Sequence, residues 1–144
     1  MTNFELAERT VNKMLMRSVE MFPDKRFAVS GDWEISYGKL NDKVNSCANS
    51  LKKLGVKKGT KVALFLRNSP AFIYSWFAIS KLGGVYVPIN TEYKGDILQY
   101  QLNKADVSHI VLDSDFVERL LDIEDQLGKL TCMIEHDRPG YIYI

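Results

Sequence analysis

The sequence is poor in cysteine and histidine and carries no excess of charge of either sign. Cys47 and Cys132 lie far apart and form no Cys-x-x-Cys pair, so a zinc site, a thioredoxin-type dithiol and a disulfide scaffold have no support. His109 and His136 have no second histidine at metal-site spacing. With 19 Lys plus Arg against 18 Asp plus Glu, no cationic surplus favours nucleic acid or an acidic membrane as a partner.

A long hydrophobic run is also missing. Glu5, Glu8 and Lys13 interrupt any signal-peptide core near the amino terminus. The longest apolar stretch, residues 71–79, contains Ser75 and is too short to span a bilayer. These absences predict a cytoplasmic protein, and the 46% apolar and 26% charged content is that of an ordinary globular domain.

The 144 residues have the length and the patterning of one α/β subdomain, which we predict to span residues 1–144. Thr10 caps a predicted helix that ends at Pro23, a hairpin turns at Gly31-Asp32, and a long helix starts at Ser36 or Tyr37. Strands and helices then alternate through residues 62–66, 70–82, 85–89, 95–104, 110–112, 116–127 and 132–135. That order predicts right-handed β-α-β crossovers and a mostly parallel sheet with helices on both faces.

A phosphate-binding glycine loop is absent from this alternation. Neither G-x-G-x-x-G nor G-x-x-x-x-G-K-[ST] occurs, and Gly83-Gly84 follows a predicted helix, where it favours a helix stop. The turn at residues 67–70 is better placed for a ligand, because it joins a strand's carboxyl end to a helix start. Capping of that helix by Asn68 or Ser69 explains the same residues without a ligand.

The remaining polar candidates have structural readings beside their chemical ones. Asp113 and Asp115 follow a predicted strand and suit cation binding or base catalysis, whereas capping of the next helix by Ser114 or Asp115 is the favoured account. His109 lies inside a predicted strand and is expected to be structural. His136 falls in a polar tail, and for each histidine a structural or solvated role is favoured over metal binding.

No nucleophile stands out. No G-x-S-x-G elbow surrounds any serine. Cys47 lies on the apolar face of a predicted helix, where burial raises a thiol pKa and lowers its reactivity.

The predicted helix at residues 71–82 is apolar around most of its circumference, unlike a surface helix. The favoured interpretation is burial within the fold. The alternative is contact with a surface outside this chain, including self-association through Phe72, Trp76 and Phe77.

Four motifs in order resemble the amino-terminal part of the adenylate-forming enzymes, which include acyl-CoA synthetases, luciferases and peptide-synthetase adenylation domains. They are Pro23-Asp24-Lys25, Ile35-Ser36-Tyr37-Gly38-Lys39-Leu40, the segment at residues 55–63 (GVKKGTKVA) and the segment at residues 81–90 (KLGGVYVPIN). The resemblance runs over about residues 10–112. The helix at residues 72–77 and the segment at 88–90 look most like fatty-acyl and carnitine-type CoA ligases.

The resemblance implies a parent enzyme that uses ATP, Mg²⁺ and CoA. Such an enzyme activates an acid to an acyl-adenylate, releases pyrophosphate and transfers the acyl group to the CoA thiol. Its catalytic motifs are a Ser/Thr/Gly-rich loop ending in Pro-Lys-Gly, a Tyr/Thr-Glu pair, a ribose-binding Asp and a Lys of a mobile carboxyl-terminal domain, and this sequence contains none of them. We therefore assign no catalytic, cofactor-binding or metal-binding residue, and we expect the isolated chain to be inactive and its partner to be the rest of the ligase.

Two positions depart from the family pattern, because Lys39 stands where Glu is usual and Thr60 where Asp is usual. The first removes a capping-box acceptor, a local effect of at most about 1 kcal/mol. Two other functions stay open: a self-standing flavodoxin-like module holding a small anion at the Arg67 to Ser69 turn, and an interaction fragment that pairs through residues 71–82.

Overall fold

The computed structural model describes residues 10–136, so Glu5 and Glu8, on which the leader-peptide argument partly rests, lie outside the described residues. The elements, in chain order, are α1 Val11–Met21, β1 Arg26–Ser30, β2 Trp33–Ser36, α2 Tyr37–Lys53, β3 Lys61–Phe65, α3 Pro70–Lys81, β4 Val85–Pro88, α4 Gly95–Ala105, β5 His109–Asp113, α5 Val117–Leu121 and β6 Cys132–His136. Short 3₁₀ turns cover Ser114–Phe116 and Glu124–Gln126. None of the helices described is long and apolar enough to cross a membrane.

The strands form two sheets. β1 and β2 make an antiparallel hairpin, and the other four strands form a parallel sheet in the order β4-β3-β5-β6. Parallel pairing is expected where each strand is joined to the next through a helix. The predicted α/β fold class with a mostly parallel sheet is confirmed.

Two apolar layers cover the two faces of this sheet. Side chains alternate along β3, so Val62 and Leu64 enter one layer while Ala63 and Phe65 enter the other. The first layer is built with α1, α2, α3 and the hairpin, and the second with α4 and α5. Helices therefore lie on both faces, as the alternation of elements predicts.

Side chains cap the helix starts as the sequence indicates. Thr10, Ser36 and Ser69 accept hydrogen bonds from main-chain N–H groups three residues on, at 3.2, 3.4 and 3.3 Å. The Ser36 cap receives the N–H of Lys39, the first position that departs from the family pattern. At the second such position, the Thr60 hydroxyl accepts from the Lys57 N–H at 3.0 Å and closes the turn before β3. Both departures from the family pattern are therefore accommodated locally.

The single helix predicted for residues 116–127 is wrong. α5 stops at Leu121, and the following residues form 3₁₀ bonds, including Gln126 N–H to the Ile123 carbonyl. The apolar spacing is still helical, because Phe116, Leu120 and Ile123 are all buried. Asn103 of α4 donates to the Gln126 carbonyl at 2.9 Å, a tertiary contact that periodicity does not report.

The apolar helix α3 is mainly a core element. Ala71, Tyr74, Ser75, Phe77, Ala78 and Ile79 are buried, and α2 is its main helical neighbour. At its carboxyl end the Lys81 ammonium donates to the Asn41 and Asn45 side-chain oxygens of α2. Burial therefore accounts for most of its missing polar face.

Gly83 and Gly84 end α3, as predicted. Gly83 has a φ of 72°, a left-handed conformation that favours glycine. A Cβ on Gly84 would lie 2.9 Å from Ile79 Cγ2 and 3.1 Å from the Thr60 carbonyl oxygen. The chain therefore turns from α3 into β4 through space that only a glycine fits.

We expect Gly84→Ala to lower the free energy of unfolding by about 1–3 kcal/mol, since the added methyl overpacks a site bounded partly by backbone. Gly128→Ala is the matched control, because a Cβ there meets nothing within 4 Å and no positive φ is required. Urea unfolding followed by tryptophan fluorescence measures both variants. Equal stability of the two variants would contradict the close approach at Gly84.

Candidate functional site

The strand order reverses between β3 and β5, at the centre of the parallel sheet, because β3 is followed by β4 on one side and β5 by β6 on the other. We call this place the reversal point. α3 follows β3 on one face, and α5 follows β5 on the other, although the two strands are neighbours. In open α/β sheets ligands bind at the strands' carboxyl ends where connections diverge in this way. The residues just after β3 and β5 are therefore the first place to look for a site.

Arg67 follows β3 and is bound by two carboxylates from the end of β5. Its main-chain N–H donates to Asp113 Oδ2 at 2.9 Å, and its guanidinium lies 3.6 Å from the same oxygen. Asp115 Oδ2 accepts from Arg67 Nη2 at 2.7 Å. The Asp113 side chain is 11% exposed and that of Arg67 55%, so the carboxylate is the buried partner. The charge of Arg67 is thus compensated within the chain.

An aromatic ring supports the same group. The guanidinium groups of Arg67 and Arg119 lie over the Phe116 ring, 4.7 and 4.8 Å from its centroid. Arg119 also donates to the Thr91 carbonyl at 2.7 Å, which ties α5 to the loop after β4. Both arginine heads are therefore fixed by neighbours.

His136, predicted to lie in a polar tail, is instead buried at the end of β6, so the predicted placement is wrong while a structural role stands. Its Nδ1 lies 3.2 Å from Asp113 Oδ1 and donates to it in the tautomer protonated at Nδ1. Nε2 has no hydrogen-bond partner within the described part of the chain. The parallel pairing of β6 with β5 places His136 opposite Asp113, a position that a strand predicted only to Glu135 did not include.

The cap predicted from Ser114 or Asp115 is also wrong. No side chain caps the 3₁₀ turn or α5. Ser114 Oγ donates to the His136 carbonyl, and Asp115 pairs with Arg67. Ser114 contacts β6 and Asp115 contacts the residue Arg67 that follows β3, whereas a cap is a contact within one helical turn.

The turn at residues 67–70 serves mainly to start α3. Ser69 accepts from Phe72 N–H and Pro70 occupies the first turn, so the capping interpretation is confirmed with Ser69 rather than Asn68 as the cap. An apolar groove of about 370 Å³ adjoins this turn. Its lining includes Trp33, Asn68, Phe72, Ile73 and Trp76.

The other candidates are structural. His109 is buried, with Nε2 2.9 Å from the Leu54 carbonyl and Nδ1 2.8 Å from Ser108 Oγ, which confirms its structural interpretation. Burial raises the pKa of the Cys47 thiol to about 12, against a weaker opposing effect of the Ser75 hydroxyl, and burial also raises the pKa of Cys132. Among residues 10–136, no three His, Cys, Asp or Glu side chains converge as a metal site.

Comparison with known proteins identifies the family to which this chain belongs. Residues 15–141 match the family described as AMP-binding enzyme. The chain belongs to this family, and it is similar to the amino-terminal portion of acyl-CoA ligases.

The individual relatives are all much longer than the matched segment. The crotonobetaine/carnitine–CoA ligase of Salmonella typhimurium is 40% identical over 110 residues, which cover 74% of this chain and 21% of that protein. A fatty acyl CoA synthetase of Mycobacterium tuberculosis is similar with a TM-score of 0.85 and 28% identity, over 92% of this chain and 28% of the other. The anthranilate CoA ligase AuaEII is similar with a TM-score of 0.83 and 26% identity, over 93% and 26%. The chain thus spans about a fifth of the length of the curated relative.

We expect Asp113→Asn to lower the free energy of unfolding by about 1–2 kcal/mol, because it leaves the Arg67 turn and the buried His136 ring without their charged partner. Asp115→Asn is the matched control on the same guanidinium. Its side chain is 65% exposed, so we expect a loss below about 0.5 kcal/mol. Urea titration at neutral pH measures the free energy of unfolding of both variants. A larger loss for Asp115→Asn would contradict the assignment of Asp113 as the carboxylate that contributes more to stability.

The two thiols differ in their environment, and labelling measures the difference. With a pKa of about 12, roughly one Cys47 thiol in ten thousand is ionised at pH 8, and the group is buried. Iodoacetamide is therefore expected to label the half-buried Cys132 well before Cys47 in the native chain, and both in urea. Mass spectrometry after digestion reads the order, and native labelling of Cys47 first would refute it.

Proposed function

We propose that this chain forms the amino-terminal α/β part of an acid–CoA ligase. The whole enzyme would join a carboxylic acid to ATP as an acyl-adenylate with release of pyrophosphate, and would then transfer the acyl group to the thiol of CoA. The acid is of the fatty or carnitine type. This chain's contribution is a folded layer that supports the rest of the ligase.

The observation that carries the proposal is the match of residues 15–141 to the AMP-binding enzyme family together with 40% identity to a carnitine–CoA ligase. The fatty acyl and anthranilate ligases among the structural neighbours support the same reaction class. The order of motifs from Pro23 to Asn90 agrees with it. No feature of the described residues favours a different chemistry.

The described residues do not fit a site for ATP or Mg²⁺. Arg67 at the reversal point is paired with Asp113 and Asp115, so its charge is already compensated within the chain. Ser69 takes up a main-chain N–H at the start of α3. We therefore propose that no residue of this chain is catalytic, and that ATP, Mg²⁺ and CoA bind to the remainder of the ligase. The same compensation weakens the alternative of a self-standing anion-binding module.

We also propose a partner and a cellular location for this chain. The principal partner is the remainder of the ligase, and we keep the cytoplasm as the proposed compartment and residues 1–144 as a single subdomain. Self-association through Phe72, Trp76 and Phe77 also stays a prediction. Phe77 is 8% exposed and packs on Phe27 with ring centroids 5.9 Å apart, so Phe72 and Trp76 would supply most of such a surface.

We expect the isolated chain to catalyse no ATP–pyrophosphate exchange with any carboxylic acid. A chimera in which residues 15–141 replace the matching segment of the Salmonella ligase is expected to show acid-dependent exchange, since the fold of this part is shared. The Salmonella ligase lacking that segment is the matched control and should be inactive.

Two results would contradict the proposal. Exchange by the pure isolated chain would show that it carries its own catalytic residues. A chimera that folds, by circular dichroism and cooperative melting, yet lacks exchange would show that this α/β layer does not serve a ligase.

A further inference from the structure

The two outer strands of the parallel sheet, β4 and β6, differ in how their free edges are protected. On the β4 side, the Val85 N–H donates inward to the carbonyl of Thr60, just before β3, at 2.8 Å, and the N–H of Ile89, just after β4, donates to Leu64 of β3 at 3.0 Å. The alternation of a parallel ladder then turns the main chain of Tyr86 and Pro88 outward. Proline has no N–H to offer, and natural sheets use it to block edge strands. The β4 edge is therefore closed to a further strand.

β6 presents the opposite case. Its Cys132 N–H donates inward to the Ser108 carbonyl at 3.2 Å, so Ile134 and His136 also face β5. The main-chain groups of Met133 and Glu135 consequently point away from the sheet. The strand has five residues and contains no proline, and among residues 10–136 no strand pairs with its outer side.

An apolar groove runs beside this open edge. It has a volume of about 340 Å³ and lies between β6 and the α5 region. Met133 and Leu121 border it and are 44% and 46% exposed. Carboxylates of Glu124 and Asp125 stand at its rim. A strand added along β6 would place alternate side chains over this groove.

We propose that a strand from the remainder of the ligase adds to the outer edge of β6, with apolar side chains over the groove and a basic residue facing Glu124 and Asp125. This inference rests on the proposed function. In the relatives the matched portion is the amino-terminal one, and it is 21% of the curated ligase, so most of that chain follows β6. A strand arriving there finds unpaired donors and acceptors at Met133 and Glu135.

A second copy of this chain is a poorer occupant. Edge-to-edge pairing of two β6 strands would bring together two copies of Glu135 and two acidic rims, since Glu124 and Asp125 border each groove. Like charges placed opposite each other in a sheet are destabilising. Charge therefore favours a partner strand of different sequence with a basic residue.

Hydrogen exchange measures this pairing directly. In the dilute isolated chain we expect slow exchange at Ile134 and fast exchange at Met133 and Glu135, resolved by NMR. In the chimera described above, the peptide covering residues 131–136 is expected to gain two slowly exchanging amides, read by mass spectrometry.

Glu135→Pro in the chimera removes an outward N–H without touching the ladder to β5, so the fold is expected to survive. We expect this variant to lose the protection of the Met133 amide against hydrogen exchange. Its ATP–pyrophosphate exchange activity is expected to fall at least tenfold. Glu135→Gln keeps the N–H and is expected to keep the protection at Met133. Thermal melting of the isolated Glu135→Pro chain checks that its own fold is retained.

The outcomes separate the two proposals. A chimera that is active while Met133 and Glu135 exchange freely would overturn the strand addition and leave the ligase assignment standing. Concentration-dependent protection in the isolated chain would assign the edge to a second copy and overturn it equally. Protection in a folded but inactive chimera would support the strand addition while the ligase assignment fails.

Discussion

The burial of β3 on both faces is the constraint around which the described chain is arranged. Val62, Ala63, Leu64 and Phe65 are all fully buried, and their side chains alternate between two separate apolar layers. Full burial of a large apolar side chain contributes about 1.5–3 kcal/mol relative to exposure. Neither layer alone can bury this strand. Helices are therefore needed on both faces, and the chain must cross from one face to the other.

That crossing creates the reversal point between β3 and β5, where a ligand would be expected in a self-contained α/β domain. Here the same point holds Arg67, Asp113 and Asp115 in mutual contact. The two carboxylates compensate the charge of Arg67, and Phe116 covers one side of the guanidinium. The reversal point thus links the ends of β3 and β5.

Features governed by neighbours along the chain were predictable from the sequence. Caps such as Thr10 and Ser69 need only an acceptor three residues before an N–H, and the unbroken apolar run at residues 62–66 requires cover on both faces. The misses involve contacts between distant residues. Asp113 meets Arg67 across 46 residues and His136 across 23, and no periodicity encodes either pairing. The 3₁₀ break after Leu121 likewise coincides with a contact from Asn103 of α4.

The strand order also has a consequence for the chain during its synthesis. β3 is the central strand, yet β5, its neighbour on one side, lies more than 40 residues later, as the 46-residue separation of Arg67 and Asp113 indicates. At about 5–20 residues per second, a ribosome needs roughly two to nine seconds to supply that interval. Early in this interval β3 can be covered by α2 and the hairpin on one face, whereas Ala63 and Phe65 on the other face are covered only after α4 and β5 have been made. β3, which is buried on both faces in the finished fold, is therefore covered on one face first as the chain is made.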